Sequence, residues 1–261
     1  MTAYRYPSEH FILLITVFLI TGLVALSAVP TLCLVPFIGL IFIVISYQLS
    51  RAQYRGILRG GIPVTWERTP QLAGLAQDCV QKLEPGPVQF YVLPNEQLNA
   101  FTFGLSNPKV VVLYSSLMEV MDADELRFIM GHELGHVALG HSWLNTLLGG
   151  IAGVPVSFSA AIILTLVFRW WNRACEYSAD RAGLLACGSL VKATSALAQL
   201  AVGDLNSQAE LQQALQVLDA QDERIENVIG ETLSTHPMIM NRIKELRKWA
   251  SSAEYRRLSQ A

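Results

Sequence analysis

His132-Glu133-Leu134-Gly135-His136 sets two imidazoles four residues apart with a carboxylate between them. On a helix that spacing is about one turn, so both rings leave the same face and can share one metal ion. Glu133, one step from His132, is placed to take a proton from a metal-activated water rather than to bind the ion. Zinc suits such a pair, because it lowers the pKa of bound water toward neutrality and polarises a carbonyl under attack. The bland alternative is an amphipathic helix that carries two histidines by accident. Only five histidines occur in 261 residues, so this spacing with its intervening Glu favours the metal.

A catalytic zinc needs three protein ligands and an open position. His141 lies five residues beyond His136. On a continuous helix that is about 140° around the axis, which points to the surface or to a place behind a ligand ring. Glu176 is the better candidate. It opens Glu176-Tyr177-Ser178-Ala179-Asp180, an acidic pair one helical turn apart, forty residues beyond His136. One carboxylate can ligate the metal while Asp180 accepts a hydrogen bond from a ligand imidazole and fixes its tautomer. An acidic i, i+4 pair alone reads as a solvated helix face; the upstream motif changes that reading.

The elements that must position these side chains are legible nearby. Asp122-Ala123-Asp124-Glu125 forms a capping box that opens a helix running to about Gly140. Val88, Phe90 and Val92 alternate with polar neighbours as in a half-buried strand, and Asn99–Leu105 and Lys109–Tyr114 read as further extended pieces. Helices are predicted within Arg51–Leu83 and at Arg173–Ala186, Ser189–Ala201, Glu210–Asp219 and Pro237–Ala250. The fold class is α+β: a mainly helical zinc-site domain with a small sheet.

Before it, Phe11 to Ser50 contains no Asp, Glu, Lys, Arg or His. Forty residues as one helix would be about 60 Å long, twice a bilayer's hydrocarbon thickness. Two spans fit better, Phe11–Val29 and Thr31–Leu49, turning near Pro30. Arg5 precedes them and Arg51, Arg55 and Arg59 follow, so the positive-inside bias puts both ends in the cytoplasm. The expected organisation is a transmembrane helical hairpin at 1–50, an interfacial helical linker at 51–86 and the zinc domain at 87–261. The net charge of -2 gives no reason to expect nucleic acid. Four cysteines without a Cys-x-x-Cys pair fit a reducing compartment.

Four stretches, in order, carry a likeness: Asn99-Ala100-Phe101, His132–His136, Glu176 with Ala179-Asp180, and Ser234-Thr235-His236-Pro237 with Arg242. Together they resemble the HtpX and CAAX prenyl protease group of membrane-associated gluzincin endopeptidases. The zinc motif alone is widely shared; the ordered set is far more specific. The resemblance implies that His132, His136 and Glu176 bind one Zn2+ per chain, with Glu133 as general base and Asp180 and Arg242 beside the ligands. It implies that Asn99, Ala100 and Phe101 form an edge that holds an extended polypeptide substrate, and that His236 stabilises an oxyanion. Without the family, His236 before Pro237 reads as a helix-start residue.

One stretch departs from the family. HtpX-type members generally carry two further spans between the zinc motif and the third ligand. Here Ser142–Phe168 is uncharged for 27 residues, but Gly149-Gly150, Gly153 and Pro155 interrupt it. Arms of about 18 Å are too short to span, and a single crossing would separate His136 from Glu176. A membrane-apposed loop is expected, with a buried hairpin as the alternative. The function expected is a zinc-dependent endopeptidase anchored in the plasma (inner) membrane with its catalytic domain cytoplasmic, serving membrane protein quality control. The alternative is a non-proteolytic zinc-containing membrane module that binds unfolded chains or partner proteins.

Overall fold

The computed structural model describes residues 3–28, 34–104, 107–141, 159–202 and 237–260. The element order is α1 (Glu9–Ala28), α2 (Leu34–Gly60), β1 (Ile62–Pro63), α3 (Pro70–Leu83), β2 (Val88–Leu93), β3 (Ala100–Phe103), β4 (Lys109–Tyr114), α4 (Ser116–Val120), α5 (Ala123–Ala138), α6 (Ser159–Cys187), α7 (Leu190–Val202), α8 (Pro237–Ala250) and α9 (Ala253–Leu258). The helix expected at Glu210–Asp219 and the turn near Pro30 lie outside the described residues.

A four-stranded mixed sheet runs β1-β2-β4-β3. β2 and β4 are parallel, while β1 and β3 pair antiparallel at the two edges. Strand β4 is Lys-Val-Val-Val-Leu-Tyr, and Val110, Val111, Val112 and Leu113 are all fully buried. A continuous apolar run of that kind belongs to a strand covered on both faces. Val111 and Leu113 join the main core, whereas Val110 and Val112 pack with Phe103, Tyr54 and Ile57 beneath the end of α2.

The core centres on α5, which is buried nearly all round, as a helix enclosed by other elements must be. Its start follows the sequence: Asp122 accepts from the N–H groups of Asp124 and Glu125, and Glu125 reaches back to the N–H of Asp122. Leu126, Phe128, Ile129, Met130 and Leu134 pack with Leu83 of α3, Leu117 of α4, Leu184 of α6, Leu197 of α7 and Ile243 of α8. Each such side chain contributes about 1.5–3 kcal/mol by leaving water.

Two stretches differ from their sequence patterns. Arg51–Leu83 is not one helical linker: α2 continues to Gly60, and then Ile62-Pro63 joins the sheet before α3 begins. Helix α6 is already helical at Ser159, the first described residue after His141, well before Arg173; no Gly or Pro interrupts the run from Ser159 to Arg173. Residues 142–158 lie outside the described residues, so the expected loop is described only from Ser159 onward.

Helix α1 packs against α2 and α6. One face of α1 buries Glu9, Ile12 and Thr16. Its other faces expose Phe11, Leu14 and Phe18, and α2 exposes Leu34, Phe37 and Leu40. Among the described residues, no helix is long and apolar enough to cross a membrane.

Candidate active site

The centre is built where α5 and α6 touch most closely. A Cβ on Gly135 would stand 2.7 Å from the Ala182 side chain and 3.1 Å from Cα of Ala179. One on Gly131 would stand 2.4 Å from the Ala186 side chain and 3.0 Å from Cα of Gly183. Small residues along both helices therefore let the backbones approach, and that approach carries α6's acidic pair onto the face of α5 that bears the histidines.

Nε2 of His132 and Nε2 of His136 are 3.2 Å apart. Each lies 3.5 Å from a carboxylate oxygen of Glu176. Donors at zinc's usual bond lengths and tetrahedral angles are separated by about 3.3 Å, so the three groups fit an ion of that size and geometry. Electrostatics agree. Burial works against charge on His136, yet Glu176 and Glu133 hold its imidazole above the ordinary value. A cluster of that sign asks for a cation.

Asp180 stands behind His132, with Oδ1 3.0 Å from Nδ1. Arg242 of α8 donates to both oxygens of Asp180, at 2.8 and 2.6 Å, and lies 3.0 Å from Glu176. Burial would raise both carboxyls, but Arg242 first, with the imidazoles, holds Asp180 below and Glu176 well below the ordinary carboxylate range. The bidentate pair locks the Asp180 carboxylate in plane with its partner.

Glu133 points into the same space. Thr102 of β3 donates to its Oε2 at 2.7 Å. A cavity of about 310 Å3 opens here, lined on one side by Asn99, Ala100, Phe101 and Thr102 and on the other by α5 with Glu176 and Arg242. Among the described residues β3 is an edge strand, paired to β4 alone. The structure thus brings together His132, Glu133, His136, Glu176, Asp180, Arg242 and the Asn99–Phe101 stretch, while His236 lies outside the described residues.

Thr102 escaped the sequence reading, although strand alternation sets it on the same side as Ala100. His141 has a different position from its helical projection. The helix ends at Ala138, and Gly140 takes a left-handed conformation (φ 78°) that folds the chain back. His141 is therefore 1% exposed, with Nδ1 3.0 Å from Nδ1 of His136. Burial pushes its imidazole down to about 4, against the pull of Glu9. No sequence pattern links Glu9 to this site.

A helix-borne H-E-x-x-H with a carboxylate from a later helix beside both imidazoles, as the third group that could hold a metal, is the arrangement of a gluzincin-type metallopeptidase centre. The sequence profile of "Peptidase family M48" matches residues 67–250, and the chain belongs to this HtpX-like metallopeptidase family. It is 32% identical over 212 residues to a plastoglobule-localized metallopeptidase 48 of Arabidopsis thaliana, covering 75% of this chain and 61% of that protein. It is 26% identical over 194 residues to protease HtpX of Acinetobacter baylyi (60% of this chain, 64% of that protein). An HtpX homolog of Aquifex aeolicus is 24% identical over 224 residues, or 72% and 74%. The chain thus spans under two thirds of the length of the first two.

Proposed function

We propose that the chain is a zinc-dependent endopeptidase. The observation that carries this reading is the convergence of His132, His136 and Glu176 beside Glu133 in a cavity bounded by β3, which lies at the edge of the sheet among the described residues. Bound zinc would supply an acidified water and a Lewis acid for the scissile carbonyl. Glu133 takes the proton and passes it to the leaving amine. Thr102 holds that carboxylate at the edge of β3, so the base and the substrate strand share one register. An extended polypeptide adds to β3 through main-chain hydrogen bonds, with Asn99, Ala100 and Phe101 along its path. Asp180, clamped by Arg242, keeps the His132 proton on Nδ1 and frees Nε2 for the metal. His236 is assigned the oxyanion on the family likeness alone.

The N-terminal helices are proposed to anchor the chain in the plasma (inner) membrane, with the site facing the cytoplasm. An ionisable-free stretch and the outward apolar side chains of α1 and α2 support this. A site held beside the bilayer would meet exposed segments of misassembled membrane proteins, a quality-control role. The protein purified in detergent with zinc should degrade unfolded casein, and Glu133→Gln should not while retaining its metal. Equal degradation by both, or none by the zinc-loaded wild type, removes the peptidase reading.

A further inference from the structure

A metal-bound imidazole is held by whatever accepts the proton on its other nitrogen. For His132 that acceptor is a carboxylate on α6. For His136 it is another ring. Nε2 of His136 faces the ligand cluster, so its Nδ1 carries the proton and donates to Nδ1 of His141, 3.0 Å away. That nitrogen must then be bare, and the proton of His141 sits on Nε2, 3.0 Å from Oε1 of Glu9. The Glu9 carboxylate also accepts from the Arg5 guanidinium and the Ser178 hydroxyl. With Nε2 of His136 turned to the metal, only this placement of the two imidazole protons satisfies the His136–His141–Glu9 contacts. His141 and Glu9 are both 1% exposed in their side chains, so water does not substitute for either.

We propose that His141 and Glu9 are positioning residues for the metal: an imidazole relay from α1 that fixes the tautomer and plane of the His136 ring. This rests on the zinc reading above and extends it to the N-terminal segment. That segment is built into the relay. Arg5 donates to the carbonyl of Leu139 at 3.0 Å, the Tyr6 N–H donates to Ser178 Oγ at 2.8 Å, and Ile12 packs with Trp171, Ala174 and Cys175. Helix α1 therefore has two roles, its apolar faces outward and one carboxylate inward to the site. A displacement of α1 would be felt at His136.

Glu9, His141 and Cys175 also offer ligand atoms within 4.8 Å of one another. The relay is favoured over a second ion because both oxygens of Glu9 already accept hydrogen bonds, Oε1 from Arg5 and His141 and Oε2 from Ser178. A cation placed there would also lie against the Arg5 charge.

The test is zinc affinity of the full chain in detergent, by competition with a chelator, together with the visible spectrum of the cobalt-substituted protein. His141→Leu keeps volume but offers no acceptor, and should weaken zinc binding about tenfold or more and shift the cobalt bands. His141→Asn returns an acceptor near the Nδ1 position and should recover most of the loss. Glu9→Gln should weaken binding severalfold. Unchanged affinity and spectrum in His141→Leu, or equal damage in His141→Leu and His141→Asn, overturns the relay. Should His141→Leu not fold, wild-type behaviour of Glu9→Gln overturns it instead. Two zinc ions per chain, one lost in Cys175→Ser, overturns it by making the cluster a metal site. A wild type that binds no zinc sinks the peptidase reading itself; a zinc-binding wild type with indifferent variants sinks the relay alone.

Discussion

The two imidazoles of α5 proposed to bind zinc, His132 and His136, are supported in different ways. Behind His132 stands Asp180, one turn beyond Glu176 on α6 and clamped by Arg242. Behind His136 stands His141, then Glu9, then Arg5. Both arms end in a carboxylate neutralised by an arginine, which is what a buried carboxylate requires. They differ in reach. The first arm is compact, with its carboxylate on the same helix as Glu176 and its arginine on α8. The second is one ring longer and is completed by the first helix of the chain. His132 thus answers to α6 and α8, and His136 to the segment proposed as the anchor.

The strongest way to sharpen this contrast is Asp180→Ala. It removes the acceptor for His132 and leaves Arg242 beside Glu176, with its Nη2 3.3 Å from Nδ1 of His132, where it can offer a donor but no acceptor. Zinc affinity should drop about 100-fold, the upper end for such partners, and more than in His141→Leu. Chelator competition measures both. If the longer arm proves the costlier to cut, the compact arm is not the principal support. Gly135→Ala comes next. Its Cβ would press on Ala182 and on the backbone at Ala179, costing about 1–3 kcal/mol of stability. It should move Glu176 and Asp180 away from α5 while leaving the His136–His141 contact alone. Zinc release should accompany the drop in melting temperature. A variant with wild-type affinity would show that the close approach of the helices is not what sets the ligand spacing.

The difference between the arms also explains what could be read in the sequence. His132, Glu133 and His136 are a local pattern, and Glu176 with Asp180 is another, so periodicity places each set on one helix face. The capping box at Asp122 is local too, and α5 begins where it says. Glu9 is not legible, because its partner is 132 residues away in sequence and nothing near it repeats. Of the two places open to His141 in the sequence, the surface and the back of a ligand ring, the structure shows the second, because left-handed Gly140 folds the chain back beyond the end of the helix. Strand β1 is two residues containing Pro63, too short for alternation to register. The opposition of Gly131 and Gly135 to Ala179, Ala182 and Gly183 is a matter of packing between distant segments, which no local pattern announces.

Thr102→Val separates support of the metal from support of the base. It touches neither arm, so zinc affinity should stay at the wild-type value. Loss of one hydrogen bond to a charged group is worth about 1.5–3 kcal/mol, and turnover should fall by at least about tenfold. Steady-state kinetics on an unfolded protein substrate, with metal content measured in parallel, makes the distinction. A fall in metal content alongside rate would mean that β3 braces the ligands as well as Glu133.

The smallest expected effect comes from Asp122→Ala, which weakens α5 at its start without touching either arm. Loss of the cap should cost about 1 kcal/mol of stability, with zinc affinity unchanged. It carries a pH signature. Slight burial is outweighed by Lys192 and by the N–H groups of Glu125 and Asp124, so the Asp122 carboxyl lies below its ordinary value. A carboxyl depressed in the folded state contributes fully above its unfolded value of about 3.9 and loses that contribution as pH falls through the lower folded value. The stability gap between wild type and Asp122→Ala should therefore be constant at neutral pH and narrow only below about 4. Chemical denaturation at several pH values tests this. A gap that changes between pH 6 and 8 would implicate a histidine arm in the stability of the helix start, and the two ends of α5 would no longer be independent.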